Sequence, residues 1–272
     1  MERQKTEAPQ LTDPLYSFLE KHLKDIEDKY PGSLHDTALI EEYVPGTRKI
    51  AVDSYISQGD IVSFGICDNN YWEDSPETFN SCTYPTRVSP EVQKRALALF
   101  NEVAKRLHQN GFNNEILDVE MFVREDDKVQ LVEVNGRMFS QMNAIYRGRV
   151  ENGDLYDLAI KLGSNESPLP RKYNGRFGGN FYVSTFDSGN IEDLLDYEFL
   201  DSLPDWVTKQ YPDIFLHIDR KYRRGDSVPK TGSKGSTLAM INLVGPNPEI
   251  VEDLAKEIRQ RLLKRHSSSV WN

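Results

Sequence analysis

Cysteine is nearly absent. Only Cys67 and Cys82 occur in 272 residues, without metal-type spacing, so neither a disulfide framework nor a cysteine-rich metal site is on offer. No apolar run approaches the length of a membrane span, and the opening M-E-R-Q-K-T-E lacks the pattern of a signal peptide. Positive charge is in deficit: 33 Lys and Arg against 43 Asp and Glu give a net charge of −10. That balance argues against a general nucleic-acid or anionic-membrane binder. The five histidines are scattered, and no Ser/His/Asp or Cys/His order suggests a nucleophilic triad. There is no internal repeat and no low-complexity tract. A soluble, reducing, cytoplasmic setting is the expectation.

The residues present suffice for a folded core. Apolar residues make up 38% and aromatics 10%, enough for one large domain or two small ones. Past a polar start, a helix is predicted after Thr12-Asp13, with Pro14 at its first position and Leu15, Phe18, Leu19 and Ile26 as its stripe. Thr37 to Val44 reads as a buried strand, broken by Pro45-Gly46. Ile50–Ile56 and Ile61–Ile66 read as a hairpin around Gln58-Gly59-Asp60. Asp68 to Arg87 is expected to be a long polar and aromatic loop. Ser89-Pro90 opens the clearest helix, with Gly111 as its stop. A further helix spans about 153–162, and Ser164–Lys172 has a linker's composition. Strands over 180–186, 213–222 and 238–244 and a helix after Asn247-Pro248 complete a smaller α+β part, which should pack on the first rather than stand alone.

The stretch from Asp118 to Arg137 carries the chemistry. It reads as two strands joined by the polar turn Glu125-Asp126-Asp127-Lys128. Alternation puts Asp118, Glu120 and Phe122 on one face of the first strand, and Glu133, Asn135 and Arg137 on one face of the second. Residues equidistant from the turn face each other, which sets Glu120 across from Glu133. Paired carboxylates repel unless a cation lies between them. Two readings are open here: a charged ribbon in solvent, or an oxygen-rich site for a hard divalent ion such as Mg²⁺.

Three motifs in order resemble the C-terminal half of an ATP-grasp domain: Glu41-Glu42-Tyr43-Val44-Pro45-Gly46, Asp118-Val119-Glu120-Met121-Phe122 and Glu133-Val134-Asn135-Gly136-Arg137. The resemblance covers about 38–163. The tail, with Gly178-Gly179-Asn180-Phe181 and Ser236-Thr237-Leu238-Ala239-Met240, is similar to the segment after that domain in the carnosine-synthase and L-amino-acid-ligase groups.

The resemblance implies an α+β fold: an ATP-grasp C-terminal subdomain, an antiparallel sheet with flanking helices, over 38–163, and a small α+β lobe over 164–272, after an N-terminal segment over 1–37. It implies an ATP-dependent carboxylate–amine ligase working through an acyl phosphate, with small amino-acid-like carboxylate and amine substrates. Glu41, Glu42, Tyr43 and Val44 would form the adenine hinge through backbone groups. Glu120, Glu133 and Asn135 would hold Mg²⁺ or Mn²⁺ bound to ATP, and Arg137 would face the transferred phosphoryl group or a substrate carboxylate. The metal reading of the hairpin is thereby favoured.

Departures limit the likeness. Forty residues precede Glu41, with Gly32 the only glycine among them, so the family's glycine-rich phosphate loop, its paired lysines and its leading domain are not found. The expectation is an incomplete grasp chain, with the clamp on a second polypeptide or lost; a non-catalytic nucleotide-, metal- or partner-binding module is the alternative. Homo-oligomerisation stays open. Thr47-Arg48-Lys49 stands where a ribose-binding carboxylate is usual, which makes Arg48 and Lys49 candidate phosphate contacts. M-F-S-Q-M after Arg137 lacks the glycines common there.

Other candidates compete with plainer explanations. Lys230–Thr237 faintly suggests a phosphate loop but precedes a strand rather than a helix and reads better as a flexible loop, of a composition that could close over substrate. Arg147, Arg149 and Arg171 suit a substrate carboxylate or a solvated surface. Arg220-Lys221-Tyr222-Arg223-Arg224 reads as a charged strand end. Trp72 and Tyr84 touch substrate or pin their segment to the core.

Overall fold

A computed structural model describes residues 48–72, 75–231 and 235–264, with a few positions between 21 and 32. The chain divides into two compact units, Met1–Pro45 and Gly46–Asn272. In the first, residues 21, 23, 24 and 26–28 are helical, within the helix expected after Pro14. The strand expected over 37–44 lies outside the described residues.

The second unit is built on one sheet. Its strands are β1 (Arg48–Ser57), β2 (Asp60–Trp72), β3 (Ser75–Tyr84), β4 (Glu115–Val123), β5 (Val129–Asn135), β8 (Phe177–Thr185), β10 (Phe215–Arg220) and β12 (Ser236–Gly245). Their order is β10-β12-β8-β3-β2-β1-β4-β5, and every neighbouring pair is antiparallel. Two small ribbons join β6 (Val150–Glu151) to β7 (Lys172–Tyr173) and β9 (Gly189–Asn190) to β11 (Ser227–Val228). The helices are α1 (Pro90–Gln109), α2 (Asn143–Arg149), α3 (Leu155–Gly163), α4 (Ile191–Leu194), α5 (Tyr197–Gln210) and α6 (Pro248–Leu262). None among the described residues is long and apolar enough to cross a membrane. The result is the expected mixed fold, a large antiparallel sheet flanked by helices. The strands expected on either side of the 164–172 stretch share this sheet through the β3–β8 pairing.

Local chemistry accounts for the elements that read clearly. Ser89 caps α1, its Oγ accepting from Val92 N at 3.3 Å, and Pro90 fills the first turn. Gly111 comes next at φ +95°, a conformation that favours glycine. In the β1–β2 turn, Gln58 and Gly59 both take positive φ, and Asn114 and Asn113 accept their amide protons at 3.0 Å. Asp154 and Asn247 cap α3 and α6 in the same way as Ser89.

One expectation fails. The long loop over 68–87 is instead the end of β2 and all of β3, with Asp68 opposite Thr83, Asn69 opposite Cys82 and Tyr71 opposite Phe79. Its polar side chains hid the strand period, yet Asp68, Asn69, Ser81 and Thr83 are buried. Bonds across and beyond the strand pair hold several of them: Asn70 Nδ2 donates to Ser81 Oγ at 3.1 Å, Cys82 Sγ to Asn69 Oδ1 at 3.2 Å and the Arg87 amide to Asp68 Oδ2 at 2.9 Å. α4 and α5 had no counterpart in the sequence reading, although Tyr197, Leu200, Leu203 and Val207 lie on α5 at helical spacing and are buried.

Three apolar clusters hold the sheet. α1 lays Val92, Ala96, Phe100 and Ala104 on Ile50, Val52, Leu117, Val119 and Met121. α2 and α3 cover part of the opposite face through Ile145, Tyr146, Leu155 and Leu158 against Tyr55, Phe64 and Tyr84. α4–α6 pack on Phe181, Val183, Ile241 and Leu243. The stretch of sheet between α2 and the β5 edge carries the polar groups.

Candidate active site

β4 and β5 pair as the alternation requires. Glu120 lies opposite Glu133, Asp118 opposite Asn135 and Val119 opposite Val134. A bulge between Glu120 and Met121 shifts the register toward the turn, without disturbing the carboxylate pair. Directly opposed residues point to the same face, so β1 adds Lys49 (opposite Phe122), Ala51 (opposite Glu120) and Asp53 (opposite Asp118). Three adjacent strands thus gather Asp53, Asp118, Glu120, Glu133 and Asn135 on one face, with Lys49 beside them.

The cluster is under electrostatic tension. Asp53 and Asp118 are buried, and each keeps one oxygen without a partner: Asp53 Oδ1 and Asp118 Oδ1. Tyr146 donates its hydroxyl to Asp53 Oδ2. Asn135 Nδ2 donates to Glu133 Oε1 at 2.8 Å and to Asp118 Oδ2 at 3.3 Å. Burial, then the charge of Glu120, pushes Asp118 up to about 7, against Asn135 and Arg137, which pull it down. Asp53 is raised well above the carboxylate range by burial and by Asp118, and Glu120 is raised by burial and by Glu133. Among the described residues no three His, Cys, Asp or Glu side chains form a metal cage. Two glutamates and an asparagine suit instead a hard ion that completes its shell with water and phosphate oxygens.

This burial makes stability depend on pH. Because the folded chain holds the Asp118 proton more tightly than the unfolded chain, this group removes stability as pH rises between about 4 and 7. In metal-free buffer, Asp118→Asn is expected to flatten the decline of unfolding free energy over that window, by up to about 1.4 kcal/mol per pH unit. Urea titrations at several pH values measure it; parallel wild-type and variant curves would contradict the burial argument.

The other sequence candidates are placed variously. Lys49 lies on the carboxylate face, its Nζ 4.2 Å from the Tyr71 ring centroid and 5.5 Å from that of Phe122. Arg48, its strand neighbour, takes the α1 face and pairs with Asp68 at 2.7 Å. The structure therefore separates the two. Arg137 is exposed just past β5, and its charge reaches Asp118 and Glu120. Glu41, Glu42, Tyr43 and Val44 lie outside the described residues. Arg149 is buried with its guanidinium 4.3 Å from the Tyr84 ring, Arg171 sits 4.0 Å over Phe64, and Arg147 lies 3.7 Å from Asp154. Tyr84 is itself buried in the core, and Trp72 lies 5.3 Å from the Arg259 guanidinium. Arg220 and Arg224 share Asp201 at 2.7 and 2.9 Å. Of the Lys230–Thr237 stretch, residues 232–234 lie outside the described residues.

Sequence reasoning missed Asp53 and Tyr146. The signal for Asp53 was available: a lone carboxylate inside the apolar strand I-A-V-D-S-Y-I. Tyr146, 93 residues away, gave none.

Comparisons with known proteins agree with this architecture. The L-amino acid ligase from Bacillus licheniformis superposes with a TM-score of 0.68 at 16% identity, over 92% of this chain and 61% of that one. The biotin carboxylase domain of the Hydrogenobacter thermophilus 2-oxoglutarate carboxylase, solved with MgADP, ADP and bicarbonate, gives 0.64 at 13%, over 91% and 52%. Phosphoribosylglycinamide synthetase from Anaerococcus prevotii gives 0.63 at 14%, over 93% and 62%. The chain thus spans between half and two thirds of the length of these proteins. At such identities they establish the fold alone. No curated protein matches the chain by sequence. The ATP-grasp domain family, however, matches residues 8–145, half of the chain. This chain belongs to the ATP-grasp family.

Proposed function

We propose that this chain holds the nucleotide and metal of an ATP-dependent carboxylate–amine ligase. The observation that carries the reading is the facing pair Glu120 and Glu133, joined by Asn135 and flanked by the partnerless oxygens of Asp53 and Asp118. Four carboxyl groups on three neighbouring strands are stable together only when protonated or when a cation neutralises them. Glu120, Glu133 and Asn135 would hold Mg²⁺ or Mn²⁺, and the ion would supply charge neutralisation on the ATP phosphates. Lys49 and Arg137 add positive charge at the rim of the same face, where the phosphoryl oxygens develop theirs.

The balanced reaction has two steps. A substrate carboxylate oxygen attacks the γ-phosphorus of ATP, the bond to the β-phosphate oxygen breaks, and an acyl phosphate and ADP result. An amine nitrogen then attacks the acyl carbon, the carbon–oxygen bond to phosphate breaks, and the amine loses a proton as the amide forms. No protein nucleophile takes part. Glu42 and Val44 backbone groups remain the proposed adenine contacts. Since the related structures are longer than this chain, the test includes any polypeptide that completes it.

Calorimetric titration with Mg·ATP is expected to show binding that EDTA abolishes. In the active enzyme, hydroxylamine should trap an acyl hydroxamate only when ATP and the acid are both present. No Mg·ATP binding by the chain, alone and with a completing polypeptide, would sink the reading.

A further inference from the structure

The carboxylate face is built in two rows that run across β1, β4 and β5. Ala51, Glu120 and Glu133 are directly opposed in the first row. Asp53, Asp118 and Asn135 are directly opposed in the second, two residues along each strand. The rows differ in burial. Glu133 is exposed, and Glu120 and Asn135 are half-buried, whereas Asp53 and Asp118 are closed off at 3% and 0% exposure. A hard ion that keeps water in its shell needs ligands that reach water. Glu120, Glu133 and Asn135 meet that condition and Asp118 does not. The use of Asp118 lies instead in what it touches.

It touches the Asn135 amide. Asn135 Nδ2 donates to Asp118 Oδ2 at 3.3 Å and to Glu133 Oε1 at 2.8 Å. A side-chain amide has one donor end and one acceptor end, and half a turn of the group exchanges them. Two carboxyl oxygens converge on the same end of Asn135, and only the donor end satisfies both. Turned over, Oδ1 would meet two acceptors. The site would then present Nδ2, which has no lone pair to give a metal. In the observed arrangement Asn135 Oδ1 accepts from no described residue and stays available to a cation.

Glu133 alone is a poor anchor for that amide. It is exposed and stands on β5, a strand paired on one side only. A cation would also draw on its carboxylate. Asp118 is the fixed point: it stands on β4 between two paired strands, fully buried. A partner held in this way orients a metal ligand and commonly governs metal affinity by about 10–100-fold.

We propose that Asp118 is a positioning residue of the metal site, which holds the Asn135 amide by its nitrogen and so keeps Asn135 Oδ1 as the atom offered to the ion. The proposal rests on the ligase reading, which supplies the ion. The probe is Mn²⁺ with ATP, titrated into the full chain and any polypeptide that completes it, with the paramagnetic signal of the free ion as readout. Asp118→Leu is close in shape to aspartate but accepts no hydrogen bond, and is expected to weaken Mn²⁺ binding by about tenfold or more. Asp118→Asn also lacks the charge, yet its oxygen can accept from Asn135 Nδ2, so binding should stay within about threefold of wild type. In an Asn135→Ala background no amide is left to orient, and the Asp118→Leu step should cost under about twofold. A general loss of packing would cost the same in both backgrounds. Urea unfolding checks the fold of each variant, and Asp118→Ala, which only removes atoms, replaces the leucine if the larger side chain is not accommodated. Where the Asn135→Ala chain binds too weakly to titrate, the contrast between leucine and asparagine decides. Equal losses for leucine and asparagine, equal losses in the two backgrounds, or no loss at all overturn the proposal and leave the ligase reading in place. No uptake of Mn²⁺ by the wild-type protein removes both.

Discussion

Glu133→Gln is expected to weaken Mg²⁺-dependent nucleotide binding by about 10–100-fold, and to lower turnover of the active enzyme by at least about 100-fold. The substitution is nearly isosteric. The new side-chain amide retains an oxygen to accept from Asn135 Nδ2, as Glu133 Oε1 does at 2.8 Å, so the β4–β5 pairing should persist. The loss is one of the two facing charges that a hard cation requires. A second consequence separates loss of metal from loss of fold. Glu133 helps to raise both Glu120 and Asp118, so removing its charge relieves repulsion in the metal-free chain. The variant should be at least as stable as wild type without metal, and should gain less stability when Mg·ATP is added. Turnover within about threefold of wild type would take Glu133 out of the site.

Phe100→Ala is expected to lower the unfolding free energy by about 3–5 kcal/mol, a large part of the roughly 5–15 kcal/mol of a typical domain. Phe100 is the largest buried side chain on α1 and packs where β1 and β4 cross the helix. The strands under it carry Lys49, Asp53, Asp118 and Glu120 on their other face, so the helix sets the plane on which the candidate site lies. Truncation leaves a cavity that a sheet paired on both sides cannot collapse to fill. Glu102→Ala on the same helix is the control: its pair with Arg106 is exposed, and its loss should cost under about 0.5 kcal/mol. Urea unfolding of the three proteins measures both effects. A cost below about 1 kcal/mol for Phe100→Ala would mean that α1 is not seated as described.

The two predictions rest on opposite faces of the same strands, and the sequence exposed these faces unequally. The α1 face was legible: valine, isoleucine and leucine alternate along β1 and β4, and α1 repeats its apolar residues at helical spacing. The carboxylate pair was legible too, because a hairpin with a short turn fixes its own register. The bulge at Val132 was not, yet it falls on the turn side of the pair and leaves Glu120 opposite Glu133. Arg48 and Lys49 were both offered as phosphate contacts, although alternation alone sends adjacent strand residues to opposite faces. The loop assigned over 68–87 failed for a different reason. Hydrophobic period marks a strand only when one face is apolar, and β3 buries serine, threonine and cysteine by bonding them across the sheet.

The sequence by itself determined the elements whose causes are local. Ser89, Asp154 and Asn247 start helices, Gln58-Gly59 turns a hairpin, and β4 and β5 bring two glutamates face to face. Those outcomes depend on residues within a turn or a hairpin of each other, where chain connectivity leaves few alternatives. Tertiary structure decided the contacts made from far along the chain. It set β3 beside β8, placed the Tyr146 hydroxyl on Asp53, and linked Asn180 to Asn242 and so to Asp219. Each of those contacts joins residues at least 23 positions apart in different elements. Such pairs are chosen by which sheet neighbours and helix faces bury the most apolar surface together, a property of the whole chain that no short window contains.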